Sequence, residues 1–99
     1  MSTAATLEAL RTVQSAMSST MNEAYSEEQS AETSERADAA KEVHASIAWV
    51  IGSVMRFGNG IDPVKVLGRF RGGGATEALY RKATAMLEAE LAGSRSDAA

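Results

Sequence analysis

The chain has 99 residues, no cysteine, one histidine and a net charge of −3. It is therefore one small domain, with or without an extended arm, and it has neither a disulfide framework nor a thiolate metal site. Its hydrophobic content of 44% excludes a wholly disordered chain, and an acidic whole argues against a general nucleic-acid coat, which must neutralise many phosphates.

Nineteen of the 44 hydrophobic residues are alanine. Burial free energy grows with apolar area at roughly 25 cal/mol per Å², so an alanine-rich core contributes little per residue. A monomer of this size is marginal, and close helix packing or self-association relieves the shortage. Charge is divided along the chain: residues 1–49 hold eight acids and three bases, and residues 50–99 hold seven bases and five acids.

The N-terminus, MSTAATLEALRT, lacks a basic segment followed by an apolar one, so no ordinary signal peptide is expected. Leu7, Leu10, Met17, Met21 and Ala24 follow a 3-4 spacing, interrupted by Gln14 with Val13 beside it. This is a narrow, partly polar helical stripe. Residues 26–42 are rich in Glu, Ala, Ser and Gln, with no large apolar side chain between Tyr25 and Val43. Residues 1–42 thus read as a polar, acidic helical arm. Ser26 with Gln29 matches a capping box and Ser34 could also start a helix, so a break is expected within 26–34.

From Ala40 the pattern strengthens. Ala40, Val43, Ile47, Val50, Val54 and Phe57 keep a 3-4-3-4-3 spacing, while Ala48, Ile51 and Met55 widen the face and Trp49 projects away from it. A helix apolar nearly all round is usually surrounded by other helices. In a chain this small, Val43, Ile47, Trp49, Val50, Ile51, Val54, Met55 and Phe57 are therefore expected to meet a partner. The longest apolar run is shorter than the ~20 residues of a membrane-spanning helix, and Arg56 closes it. A cytoplasmic protein is expected, although a virion component or a substrate of dedicated secretion would look the same.

Gly58-Asn59-Gly60 ends this helix, with Gly58 suited to a left-handed cap. Asp62-Pro63 restarts one over 63–70, carrying Val64, Val66, Leu67 and Phe70. Arg71-Gly72-Gly73-Gly74 breaks the chain again. A last helix is expected from about Ala75 to Leu91, with Leu79, Ala83, Met86, Leu87 and Leu91 inward. Residues 43–92 form the hydrophobic region, and 93–99 read as a disordered tail. No strand alternation is present, so the fold class is all-α: a small helical bundle or helical hairpin.

The segment RFRGGGATEALYRK, at 69–82, is the sharpest candidate for chemistry. Successive glycines let backbone amides converge before a helix N-terminus, where an anion is favoured. Arg69, Arg71, Gly72, Gly73, Gly74, Arg81 and Lys82 could together hold phosphate or a nucleic-acid backbone. The segment lacks the lysine–hydroxyl pair of a P-loop, and a plain hinge is the simpler reading. A helix-turn-helix with Arg71, Thr76, Glu77, Tyr80 and Arg81 at a major groove is a further alternative.

Glu28, Glu32 and Glu35 share a helix face, but Lys41 occupies the position that a Glu-x-x-His motif ending at His44 would need. No metal or other cofactor is expected. A lone histidine gives no case for an activated nucleophile, so an enzyme is not expected either. Met17, Met21, Met55 and Met86 fall in helical stripes, where core filling explains them.

A cysteine-free, Ala/Ser-rich chain with a central tryptophan superficially resembles the WXG-type secreted helical hairpins. Here Trp49-Val50-Ile51-Gly52 has one residue too many between Trp and Gly, and Tyr80 is followed four residues later by Thr84 rather than an acid. Neither motif matches, and no residue role carries over. The function expected from the residues is that of a non-enzymatic assembly or adaptor protein acting through protein contacts, self-associating or part of a larger assembly. The alternative is a phosphate- or nucleic-acid-binding module.

Overall fold

The computed structural model describes residues 3–98. Its first helix, α1 (Thr3–Ser26), buries Thr6, Ala9, Leu10, Val13, Met17 and Ala24. The inward line runs through Val13 instead of Gln14, and it leaves Leu7 and Met21 only half-buried. Gln14 stands at the edge, where its Nε2 donates to the His44 carbonyl at 3.5 Å. The Ser26 hydroxyl donates to the Glu23 carbonyl at 2.8 Å and helps close the helix.

The expected break falls at residues 27–30, and α2 (Ala31–Phe57) follows. Its cap is Ser30, not Ser26 or Ser34. The Thr33 N–H donates to Ser30 Oγ at 3.2 Å, and the Ser30 N–H donates to Thr33 Oγ1 at 2.8 Å, forming a reciprocal capping box with threonine in the third position. Glu27 and Arg36 form an ion pair across the turn.

The acidic stretch is not solvated all round. Thr33, Ala37, Ala39 and Ala40 are buried, so small residues form the core here and let the helices approach closely. The compositional boundary at Val43 falls in the middle of α2. Leu10, Val13 and Met17 of α1 join the same hydrophobic cluster as Val43, Ile47, Val50 and Val54.

Gly58 ends α2 with φ 62° and ψ −135°, a conformation open to glycine alone, while its N–H donates to the Val54 carbonyl. A single 3₁₀ turn at Gly58–Gly60 leads to α3 (Pro63–Gly68). The Asp62 carboxylate accepts from the N–H groups of Val64 and Lys65 at 3.1 and 3.3 Å, and Pro63 takes the first position, where a missing N–H loses nothing. The helix stops at Gly68, short of the expected Phe70.

The final helix, α4 (Ala75–Ala98), runs beyond the expected end at Leu91. A lone glycine within a helix costs about 1 kcal/mol relative to alanine, so Gly93 does not terminate it. Its buried line is Tyr80, Ala83, Leu87 and Leu91, with Leu79 and Met86 half-buried.

Antiparallel α1 and α2 form a hairpin, and α4 packs on both. A Cβ on Gly74 would lie 3.1 Å from Glu35 near the start of α2, and Tyr80 meets Ser46 farther along it. Hence α4 runs parallel to α2. Residues 58–74 return the chain along the α2–α4 seam, where Leu67 is buried. The result is an all-α bundle, elongated at 45 × 23 × 18 Å. Among the described residues, no helix is long and apolar enough to cross a membrane.

Candidate functional site

The eight apolar residues of α2 expected at a partner surface divide into two groups. Val43, Ile47, Val50 and Val54 are at most 1% exposed and belong to the chain's own core, and Ile51 packs half-buried against it. These cannot meet a partner without opening the bundle. Trp49, Met55 and Phe57 are 60%, 65% and 61% exposed. Phe57 continues the spacing of the buried stripe but is the last residue of α2. There α1 is only beginning, since a Cβ on Gly58 would lie 3.8 Å from Thr3 Oγ1.

At about 100° per residue, Trp49 and Phe57 lie about 80° apart around α2, while Met55 lies about 120° from Trp49 on the far side. Trp49 therefore belongs to the edge that faces α3. There it lines a groove of about 420 Å³ together with Ile61, Val66, Arg69 and Phe70. Its ring meets Phe70 edge-on, with centroids 6.1 Å apart and planes at 73°. Phe70 in turn stacks on Tyr80 at 5.6 Å and 16°. The Tyr80 hydroxyl is fixed by a 2.6 Å hydrogen bond with Ser46 Oγ. Burial pushes the Tyr80 phenol above its ordinary value, the nearby Glu42 carboxylate adds to this, and the Ser46 hydrogen bond opposes it. The groove is thus built on an aromatic stack anchored in the bundle.

Its surroundings are basic. Arg56 follows Trp49 by two turns on the same edge of α2, and Lys65 and Arg69 project from the α3 segment; all three are exposed. Among the described residues none of the three forms an ion pair. Asp62 is the only acid between Glu42 and Glu77, and its carboxylate accepts from the first amides of α3.

The seven residues expected at an anion site do not converge. Arg69 lines the Trp49 groove. Arg71 Nη1 donates to the carbonyls of Gly68 and Phe70 at 2.6 and 3.0 Å, and Arg81 donates to the same two carbonyls at 3.2 and 2.7 Å. These two guanidinium groups close the C-terminal end of α3, whose last carbonyls have no helical partner. Arg81 Nε also lies 3.1 Å from Glu77, as a charge contact without an aligned hydrogen bond. Lys82 lines a separate hollow of about 250 Å³ with Ala39, Ala75 and Ala78.

Around the glycines the chain supplies its own carboxylates. The Gly72 N–H donates to Glu77 Oε1 at 3.2 Å, and Cβ atoms on Gly72 and Gly74 would stand 3.5 and 3.1 Å from Glu42 and Glu35. A further anion would meet like charge there. Nor can a recognition helix be formed as expected, because Tyr80 is buried and Arg71 and Arg81 are engaged with α3. Among the described residues no three His, Cys, Asp or Glu side chains come together as a metal site.

The sequence reading missed Ile61, Val66 and Phe70 as companions of Trp49. Phe70 was expected within a helix over 63–70 that in fact ends at Gly68, and only the return path of residues 58–74 brings the group together. No protein-family model matches the chain, and no curated protein or solved structure matches it either.

Proposed function

We propose that the chain is a non-enzymatic assembly or adaptor protein that acts through the edge formed by the C-terminal half of α2 and the α3 segment. The observation that carries this reading is Trp49, 60% exposed at the lip of an apolar groove whose floor is an ordered aromatic stack. Exposed large side chains scattered singly are ordinary on a protein surface. Here Trp49 stands with half-buried Ile61, Val66 and Phe70 about one hollow, which supports a place where another chain can bury area, and tryptophan and arginine are among the side chains that most often dominate such contacts. Self-association fits a small alanine-rich core, because a second chain adds apolar burial that one chain lacks.

Sedimentation velocity on the purified chain, from low to high micromolar concentration, tests the reading alongside Trp49→Gln. The parent should form larger species as concentration rises, and the variant should remain a folded monomer. If the variant assembled as readily as the parent, this edge would not be the contact.

A further inference from the structure

Resting on that docking reading, we propose that the occupant of the Trp49 groove is the acidic turn end of a second copy, so that chains join head to tail. The four exposed large hydrophobic side chains of the described residues are Tyr25, Trp49, Met55 and Phe57. Tyr25 alone lies at the opposite end, beside the turn at residues 27–30 that joins α1 to α2. It is 54% exposed among Glu23, Glu27, Glu28 and Glu32, themselves all exposed. No base lies between Arg11 and Arg36. The turn therefore presents an exposed aromatic side chain flanked in sequence by carboxylates, of which Glu27 is paired with Arg36, and the groove presents an aromatic-lined hollow lined by Arg69, with Arg56 and Lys65 exposed on the two elements that border it.

Charge selects this pairing over a two-fold one. Grooves meeting face to face would bring Arg56, Lys65 and Arg69 against their own copies, while groove to turn opposes unlike charges. One chain cannot satisfy itself. Ser30 and Trp49 are separated by about 28 Å along a straight helix, so a chain's own turn cannot reach its own groove. Tyr25 of one copy enters the hollow against Trp49 and Phe70 of the next. Glu23, Glu28 and Glu32 then approach the three cations. Apolar burial supplies most of the affinity, because exposed ion pairs are screened by solvent and contribute little; the charges set partner and direction. Each chain carries one groove and one turn, so the contact repeats into a row.

The test uses two full-length variants changed only at exposed positions: Trp49→Gln with Arg69→Glu, which closes the groove, and Tyr25→Ser with Glu28→Lys, which blunts the turn. Arg69→Glu and Glu28→Lys alone serve as milder forms, and helical circular dichroism confirms folding. The parent should assemble with a size that grows with concentration and shrinks with salt. Each variant alone should be monomeric, and an equimolar mixture should give a species of two chains, joined through the one intact groove and the one intact turn. Continued assembly of the turn variant would overturn the head-to-tail contact while leaving the groove as a docking surface. A parent that stays monomeric at all concentrations would also overturn it, and the docking reading would then require a foreign chain. Assembly of the groove variant with itself would sink both.

Discussion

The inner and outer faces of α2 are made from similar side chains with different neighbours. Val43, Ile47, Val50 and Val54 are closed in by α1 and α4, while Trp49 and Phe57, a few residues away on the same helix, remain largely in water. Hydrophobicity alone does not separate them. The inner face is aliphatic and mostly β-branched, shapes that suit close packing between helices. The outer edge is aromatic, bordered by arginine and lysine, and covered only in part by a six-residue helix. Apolar content marks α2 as a helix needing contacts, while the supply of neighbours within the chain decides which of its side chains stay exposed.

Substitutions on the two faces test that contrast. The largest effect belongs to the inner face: Ile47→Ala should destabilise by about 2–5 kcal/mol in urea unfolding, because the surrounding helices cannot fully close the cavity. At the seam, Tyr80→Phe removes the hydrogen bond to Ser46 and should cost about 1 kcal/mol near neutral pH. It should also alter the alkaline limb of the stability profile. The Tyr80 phenol is raised in the folded state, so its contribution is complete below the ordinary phenol value of about 10. That contribution is lost as pH climbs above it, where the unfolded chain ionises first. The variant should lack this part of the decline when thermal unfolding is followed across that range.

On the outer face, a Cβ added at Gly52 meets nothing within 4 Å. Gly52→Ala should accordingly stabilise the helix by about 0.5–1 kcal/mol. The smallest stability effect is expected for Trp49→Gln, within about 0.5 kcal/mol of the parent if the edge serves association rather than folding. A loss as large as that of Ile47→Ala would place Trp49 in the core and erase the distinction between the faces.

Much of this architecture was legible in the residues. The 3-4 spacing from Ala40 to Val54, the Asp62-Pro63 start and the Gly58 stop all stood where helix periodicity and capping chemistry put them. Other elements depended on neighbours that a one-dimensional pattern lacks. Ala37, Ala39 and Ala40 look neutral in sequence and become core in the bundle, with Ala39 beside Thr20 of α1 and Ala75 and Ala78 of α4. Tyr80, beside two basic residues, reads as a surface aromatic until Ser46 and Phe70 surround it. Arg71 and Arg81 suggested an external anion, yet their guanidinium groups donate to the carbonyls of Gly68, at the end of α3, and of Phe70 just beyond it. Of the proposed docking groove, Trp49 was identifiable from its place off the buried stripe. Ile61, Val66 and Phe70 joined Trp49 only through the path taken by residues 58–74.

That return path also orders the folding of the chain. Bringing α1 against α2 requires closure of the short turn at residues 27–30, whereas α4 can lie parallel to α2 only after residues 58–74 have run back along the bundle. The entropic cost of closing a loop rises with its length, and contacts between near neighbours form sooner than distant ones. The α1–α2 hairpin is therefore the natural first structure. During synthesis it emerges while α4 is still being made. Until α4 arrives, the surface around Ile47 and Val50 stands open, and the nascent chain passes through an interval in which its future interior must be shielded from other chains.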